Sequence, residues 1–207
     1  MPYFKVFVIN GSGGSGKDTF CSFFKELFQY DTSHMNFKDG GFHTFDCIYT
    51  STLSKRFAEE MGWKGTKTLA DRKYLSDLKD MLDYWNDATR KYLKEWIFDN
   101  YYNIFKSRYS TPVPDSFVVF VHAREAKDID YVNALCVSEG IYCKTILIDK
   151  KDNIKKGNHA DDSVNDYKYY NWYIHNYGDL TEFKNTVRKF YELVMYDDLK
   201  SNEELKR

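Results

Sequence analysis

Tyr3-Phe4-Lys5-Val6-Phe7-Val8-Ile9-Asn10-Gly11-Ser12-Gly13-Gly14-Ser15-Gly16-Lys17-Asp18-Thr19 is the segment on which the fold turns. An apolar run of strand character leads straight into a glycine-rich turn. Phe20, Phe23, Phe24, Leu27 and Phe28 then follow at helical spacing. Gly11, Gly16 and Lys17 satisfy the phosphate-loop pattern G-x-x-x-x-G-K-(S/T). Glycines permit positive φ, so that backbone N–H groups can close around phosphate oxygens, and the helix N-terminus adds positive potential. Lys17 is placed to reach β and γ oxygens as a point charge. The final position departs from the pattern: Asp18 stands where a hydroxyl is usual, and the hydroxyl arrives one residue late, at Thr19. Four glycines between 11 and 16 would also suit a flexible turn, but the flanking strand and amphipathic helix favour the phosphate loop.

The 207 residues suffice for one α/β domain with a proper core and are too few for two comfortable ones. A formal net charge of −1 gives no electrostatic case for a nucleic-acid or membrane-surface protein. The first apolar run is short, lacks a basic flank and leads into the loop, so it reads as a strand and not a targeting segment. No run approaches transmembrane length. Cys21, Cys47, Cys136 and Cys143 are scattered without a C-x-x-C pair, so the spacing indicates neither a disulfide framework nor a zinc site. The expected location is the cytoplasm.

Strands are expected at 3–9, 42–49, 116–123, 142–148 and 169–175, the third of them apolar on both faces, as a buried parallel strand should be. Helices are expected at 17–29, from about Thr52 with Leu53, Phe57 and Met61 on one face, and through Leu75, Leu78, Leu82 and Trp85. Further helices are expected from about Ala88 to Arg108, around 128–138, and after Gly178 with Leu180, Phe183, Val187, Phe190 and Leu193/Val194 apolar. Residues 30–41 read as a loop. Alternating strands and helices give a parallel sheet covered on both faces, with ligands at the carboxyl ends of its strands.

The chain as a whole resembles the nucleoside-monophosphate kinases among P-loop kinases, with its closest likeness to deoxynucleoside-monophosphate kinases of phages and related bacterial proteins. Three segments carry the resemblance: Ser15-Gly16-Lys17-Asp18-Thr19, Val121-His122-Ala123-Arg124-Glu125, and Asn171 to Leu180, ending Ile174-His175-Asn176-Tyr177-Gly178-Asp179-Leu180. It implies a three-layer α/β/α P-loop NTPase fold with a central parallel sheet. It also implies a single domain over 1–207, with a helical substrate-side insertion at about 50–110 and a lid-like segment at about 149–168. The implied activity is ATP- and Mg2+-dependent phosphoryl transfer to a nucleoside or deoxynucleoside monophosphate. Two alternatives stay open: a P-loop kinase of another small phosphorylated metabolite, and an ATP-binding regulatory module with little turnover. The partner is a small-molecule nucleotide, with no nucleic acid and no membrane. The oligomeric state stays open, a homodimer included.

The candidate nucleotide-binding residues are Gly11, Ser12, Gly13, Gly14, Ser15, Gly16, Lys17, Asp18 and Thr19, and the candidate catalytic residues are Lys17 and Arg124. Transfer between two phosphates gathers negative charge that several cations must neutralise. Arg124 follows a central strand and matches the family arginine; Arg56 and Arg72 flank the expected substrate-side helices. Asp18 and Thr19 are the candidate magnesium residues, Asp18 being equally readable as a first-turn helix charge. His122 stands where the family often has an aspartate, which leaves Asp18, Glu125 and Asp46 as replacements. Trp63, Trp85 and Trp96 could stack on a base, though their placement favours packing.

Overall fold

The computed structural model describes residues 3–34, 43–108, 116–150, 164 and 167–196. Five parallel strands form one sheet: β1 (Tyr3–Asn10), β2 (His43–Tyr49), β3 (Ser116–His122), β4 (Tyr142–Asp149) and β5 (Trp172–His175), in the order β2-β3-β1-β4-β5. The helices are α1 (Lys17–His34), α2 (Thr52–Glu60), α3 (Leu69–Asn86), α4 (Ala88–Lys94), α5 (Asn103–Arg108), α6 (Ala126–Ser138) and α7 (Leu180–Tyr196). A π-helical segment, Glu95–Tyr102, joins α4 to α5.

Strand parity sorts the side chains into two cores. Phe7 and Ile9 of β1, with Val118 and Phe120 of β3, pack against Phe20, Phe24 and Phe28 of α1 and Phe183, Val187 and Phe190 of α7. Val6 and Val8, with Phe117, Val119 and Val121, face Leu93, Ile97, Phe98 and Phe105, and Ile129, Val132 and Cys136 of α6. This is the expected three-layer α/β/α arrangement. Every residue of β3 is buried, as its two-sided apolar sequence requires. Fully burying each such phenylalanine contributes roughly 1.5–3 kcal/mol.

The register aligns the strand ends that carry the candidate site. Ile9 pairs with both His122 and Ile146, and Tyr49 pairs with His122. The connection leaving β1 runs toward β2, whereas that leaving β3 runs toward β4 on the other side. The crevice between the carboxyl ends of β1 and β3 is therefore a topological switch point, where ligands bind in open α/β sheets.

Several expectations are corrected. Residues 30–34 continue α1, because Tyr191 and Tyr196 of α7 both donate their hydroxyls to the Asp31 carboxylate and fasten that turn. The expected helix 88–108 is interrupted by the π-helical segment, whose wider turns set Tyr101 against Asp46 and Tyr102 against Phe4. On α2 the buried residues are the small Ser54 and Ala58, while Met61 is 76% exposed; Trp85 is 85% exposed and Leu180 64%. In each case helical spacing alone does not say which stripe meets a neighbour. The last strand is confined to Trp172–His175. The lid-like stretch, apart from 149–150, 164 and 167–168, lies outside the described residues. Among the described residues no helix is long and apolar enough to cross a membrane.

Candidate active site

The loop after β1 is held from both flanks. Gly11 has φ +147°, and a Cβ there would come 2.5 Å from the Ile148 carbonyl of β4, so glycine is required on steric grounds. The Asn10 side chain spans the crevice: its Oδ1 accepts from Gly11 N at 2.7 Å, and its Nδ2 donates to the Arg124 carbonyl at 3.3 Å and to Tyr170 Oη at 2.6 Å. Ser15 N donates to Ser12 O at 3.1 Å and closes the turn. Gly16 has φ +103°; a Cβ there would stand 2.5 Å from Asn176 Nδ2, which donates to Ser15 O at 2.9 Å. Asn176, just past β5, thus buttresses the loop from the far side of the sheet.

Lys17 opens α1 and curls back over the turn. Its ammonium donates to the Gly11 carbonyl and to the Ser12 carbonyl, the latter at 2.9 Å. An anion in the loop would therefore meet a lysine already held at its rim. Asp18 is 81% exposed and reaches toward the ends of β2 and β3: Tyr49 donates its hydroxyl to Asp18 Oδ1 at 3.4 Å, and His122 Nδ1 lies 3.8 Å from the same oxygen. Thr19 is half-buried one residue on.

His122 forms the floor of the crevice. It is buried, it stacks on Tyr49 at 4.2 Å between ring centroids, and its Nε2 lies 3.4 Å from Cys21 Sγ. Burial pushes its pKa down to about 4, against the opposing charge of Asp18, and the cations Lys17, Lys55 and Arg124 push in the same direction as burial. The ring is thus neutral at neutral pH, and three positive side chains lie within electrostatic reach of it. Lys55 of α2 sits over the Tyr49 ring at 5.4 Å. Burial holds its ammonium below the usual lysine value; Asp18 opposes this, and Arg124 adds to the lowering.

The structure therefore brings Lys17, Asp18 and Arg124 to one crevice. Arg56 is exposed on α2, and Arg72 donates from Nε to Lys67 O at 3.3 Å, where it supports the start of α3. Neither of the other two candidate carboxylates is at liberty. Glu125 is bonded to Lys79 and Lys127, and Asp46 takes Cys47 N and the Tyr101 hydroxyl. Sequence reasoning missed Lys55, Asn10 and the bracing role of Asn176. The position of Lys55 shortly after the carboxyl end of β2 was the one available signal; Asn176 lay inside a quoted segment, but its partner, 161 residues away, left no trace in spacing.

The fold and this site define a three-layer α/β protein of the P-loop type. No family model matches the chain, and no curated protein matches it. Among solved structures, the APS kinase of Mycobacterium tuberculosis in complex with AMPPNP and APS is 14% identical, with 93% of this chain and 99% of that chain covered and a TM-score of 0.43. A sugar kinase from Janibacter sp. is 13% identical, with 93% and 94% covered and a TM-score of 0.40. These likenesses carry no residue role across.

Proposed function

We propose that this chain is an ATP- and Mg2+-dependent phosphotransferase that passes the γ-phosphoryl group to the phosphate of a nucleoside or deoxynucleoside monophosphate. The observation that carries the reading is the meeting of Lys17, Lys55 and Arg124 at the switch-point crevice, beside a loop whose glycines at positive φ leave the backbone bare. The loop would cradle the donor's phosphates through its N–H groups, and Lys17 would exchange its two carbonyl partners for phosphate oxygens. Arg124 and Lys55 would neutralise charge that builds on the transferring group, the largest contribution such a site makes. A phosphate acceptor is already anionic, so no strong general base is required. Asp18, exposed on the first turn of α1, and Thr19 would hold a hydrated magnesium ion, which would supply charge neutralisation for the donor's phosphates. Arg56 and Arg72 are acceptor-side candidates, with Arg72 needing to leave Lys67 O to serve. The monophosphate acceptor itself is supported by the resemblance of the three quoted segments. The helices over 50–110 would form the acceptor side, and the 149–168 segment a lid over the same single domain.

The test is ADP formation by the purified protein with ATP, magnesium and a panel of nucleoside and deoxynucleoside monophosphates. Turnover with one of them, lost in Lys17→Ala, supports the reading. Turnover only with another phosphorylated metabolite moves the acceptor. A second reading, an ATP-binding regulatory module, is favoured by the neutral, stacked His122 at the strand end; tight ATP binding by calorimetry with no product from any acceptor would establish it instead.

A further inference from the structure

Behind the phosphate loop, three side chains from three elements converge. Parity puts Cys47 of β2 and His122 of β3 on the sheet face covered by α1, and Cys21 looks down from α1 one turn beyond Lys17. Cys21 Sγ, Cys47 Sγ and a ring nitrogen of His122 all lie within 4.8 Å of one another, with Cys21 Sγ 3.4 Å from His122 Nε2. Among the described residues this is the one group of three metal-ligating side chains so assembled. We propose that Cys21, Cys47 and His122 form a binding site for a thiophilic divalent metal ion, zinc foremost, wedged between α1 and the carboxyl ends of β2 and β3.

The chemistry of the donor set points to this ion class. Two thiolates and an imidazole suit zinc over magnesium or calcium, which take oxygen ligands. Zinc–sulfur bonds of about 2.3 Å and zinc–nitrogen bonds of about 2.0 Å place tetrahedral ligand atoms about 3.5–3.8 Å apart. The 4.8 Å limit on the present spacing therefore asks for a contraction of about 1.3 Å at most. Three protein ligands leave a fourth position for an exchangeable one, as in sites of two cysteines and one histidine.

The surroundings of the ring support the assignment independently. With Nε2 turned to Cys21, Nδ1 looks toward Asp18 Oδ1, 3.8 Å away, and on metal binding Asp18 would have to close this gap by about 1 Å to accept the hydrogen bond that orients a ligating imidazole. Stacking on Tyr49 fixes the ring plane. Metal binding forms two metal–sulfur bonds and one metal–nitrogen bond, and releases the two thiol protons to solvent. The remaining cysteines have another setting: Cys143 Sγ donates to Asn133 Oδ1 at 3.2 Å, and Cys136 is buried in the core under α6.

The experiment uses the full, untagged, reduced chain, loaded with zinc or cobalt(II) and freed of excess metal. One equivalent of zinc per chain is expected, and the cobalt form should show a thiolate-to-cobalt charge-transfer band. Zinc should protect Cys21 and Cys47, located by peptide mass spectrometry, from alkylation. Cys47→Ser should abolish stoichiometric uptake and the band, while Cys143→Ser leaves both intact. Asp18→Asn should weaken zinc binding about 10- to 100-fold as the loss of an orienting carboxylate. A folded, reduced wild-type protein without the charge-transfer band, or a band that survives Cys47→Ser, overturns the proposal. Should Cys47→Ser fail to fold, equal alkylation of Cys21 and Cys47 with and without zinc in the wild type overturns it as well.

Discussion

A methyl group on Gly16 would have to enter the 2.5 Å gap to Asn176 Nδ2 at a φ that side chains rarely adopt. Gly16→Ala should therefore lower stability by about 1–3 kcal/mol in urea denaturation, and it should weaken nucleotide binding by displacing Asn176 from Ser15 O. Lys17→Ala removes a charged donor without opening a core. Its fold stability should change by less than about 1 kcal/mol, whereas ATP-analogue affinity should fall roughly ten- to hundredfold by calorimetry, the worth of a hydrogen bond to a charged group. These residues were legible because a glycine at a forced φ and a lysine after it leave a local signature. Lys55 was not, since nothing local separates a lysine that overlies Tyr49 from one in water.

Between elements, α3 and α6 are joined by Lys79, whose ammonium lies 2.9 Å from Asp83, 2.9 Å from Glu125 and 3.2 Å from Asp128, all four side chains being largely buried. This network fixes the start of α6 and, with it, the turn that carries Arg124. Lys79→Met leaves three carboxylates without their shared cation, apart from the half-exposed Lys127 beside Glu125, and should cost about 3–5 kcal/mol by denaturation. The pH dependence follows from unequal sharing. Burial raises the Asp128 pKa to about 6, so its contribution to stability is fully present below its ordinary value of 3.8 and is lost as pH rises through 6. Asp83 and Glu125 are shifted down despite burial, by hydrogen bonds from Thr89 and Lys79 and from Lys127 respectively, and their contributions vanish as pH falls. Asp128→Asn should gain on the wild type by on the order of 2 kcal/mol between about pH 4 and pH 7, measured by chemical denaturation at each pH. The helices themselves were readable from periodicity. The network was not, because its members sit on α3 and α6, and only the fold brings those together.

At the scale of the molecule, the alternation of strands and helices was enough to give the parallel sheet and its two covered faces, since β3 is apolar on both sides and the flanking helices are apolar on one. The strand order, which decides where the crevice lies, depends on crossovers that no segment encodes alone. Ligand linkage gives a global test of the phosphate loop: a nucleotide at 100 times its Kd should add about 2.7 kcal/mol to unfolding free energy, seen as a raised Tm, and Lys17→Ala, with affinity ten- to hundredfold lower, should cut that gain to about 0.4–1.4 kcal/mol at the same concentration.

The brace from Asn176 to Ser15 spans 161 residues, and the buried Lys5 of β1 reaches the Val194 carbonyl across 189. On a ribosome, the glycine loop emerges ahead of its brace and stays unbraced until residue 176 has cleared the exit tunnel, roughly ten to thirty seconds later at 5–20 residues per second. The nascent chain therefore carries its glycine motif long before that motif is braced, and under the proposed function capture of nucleotide would report that synthesis has passed β5.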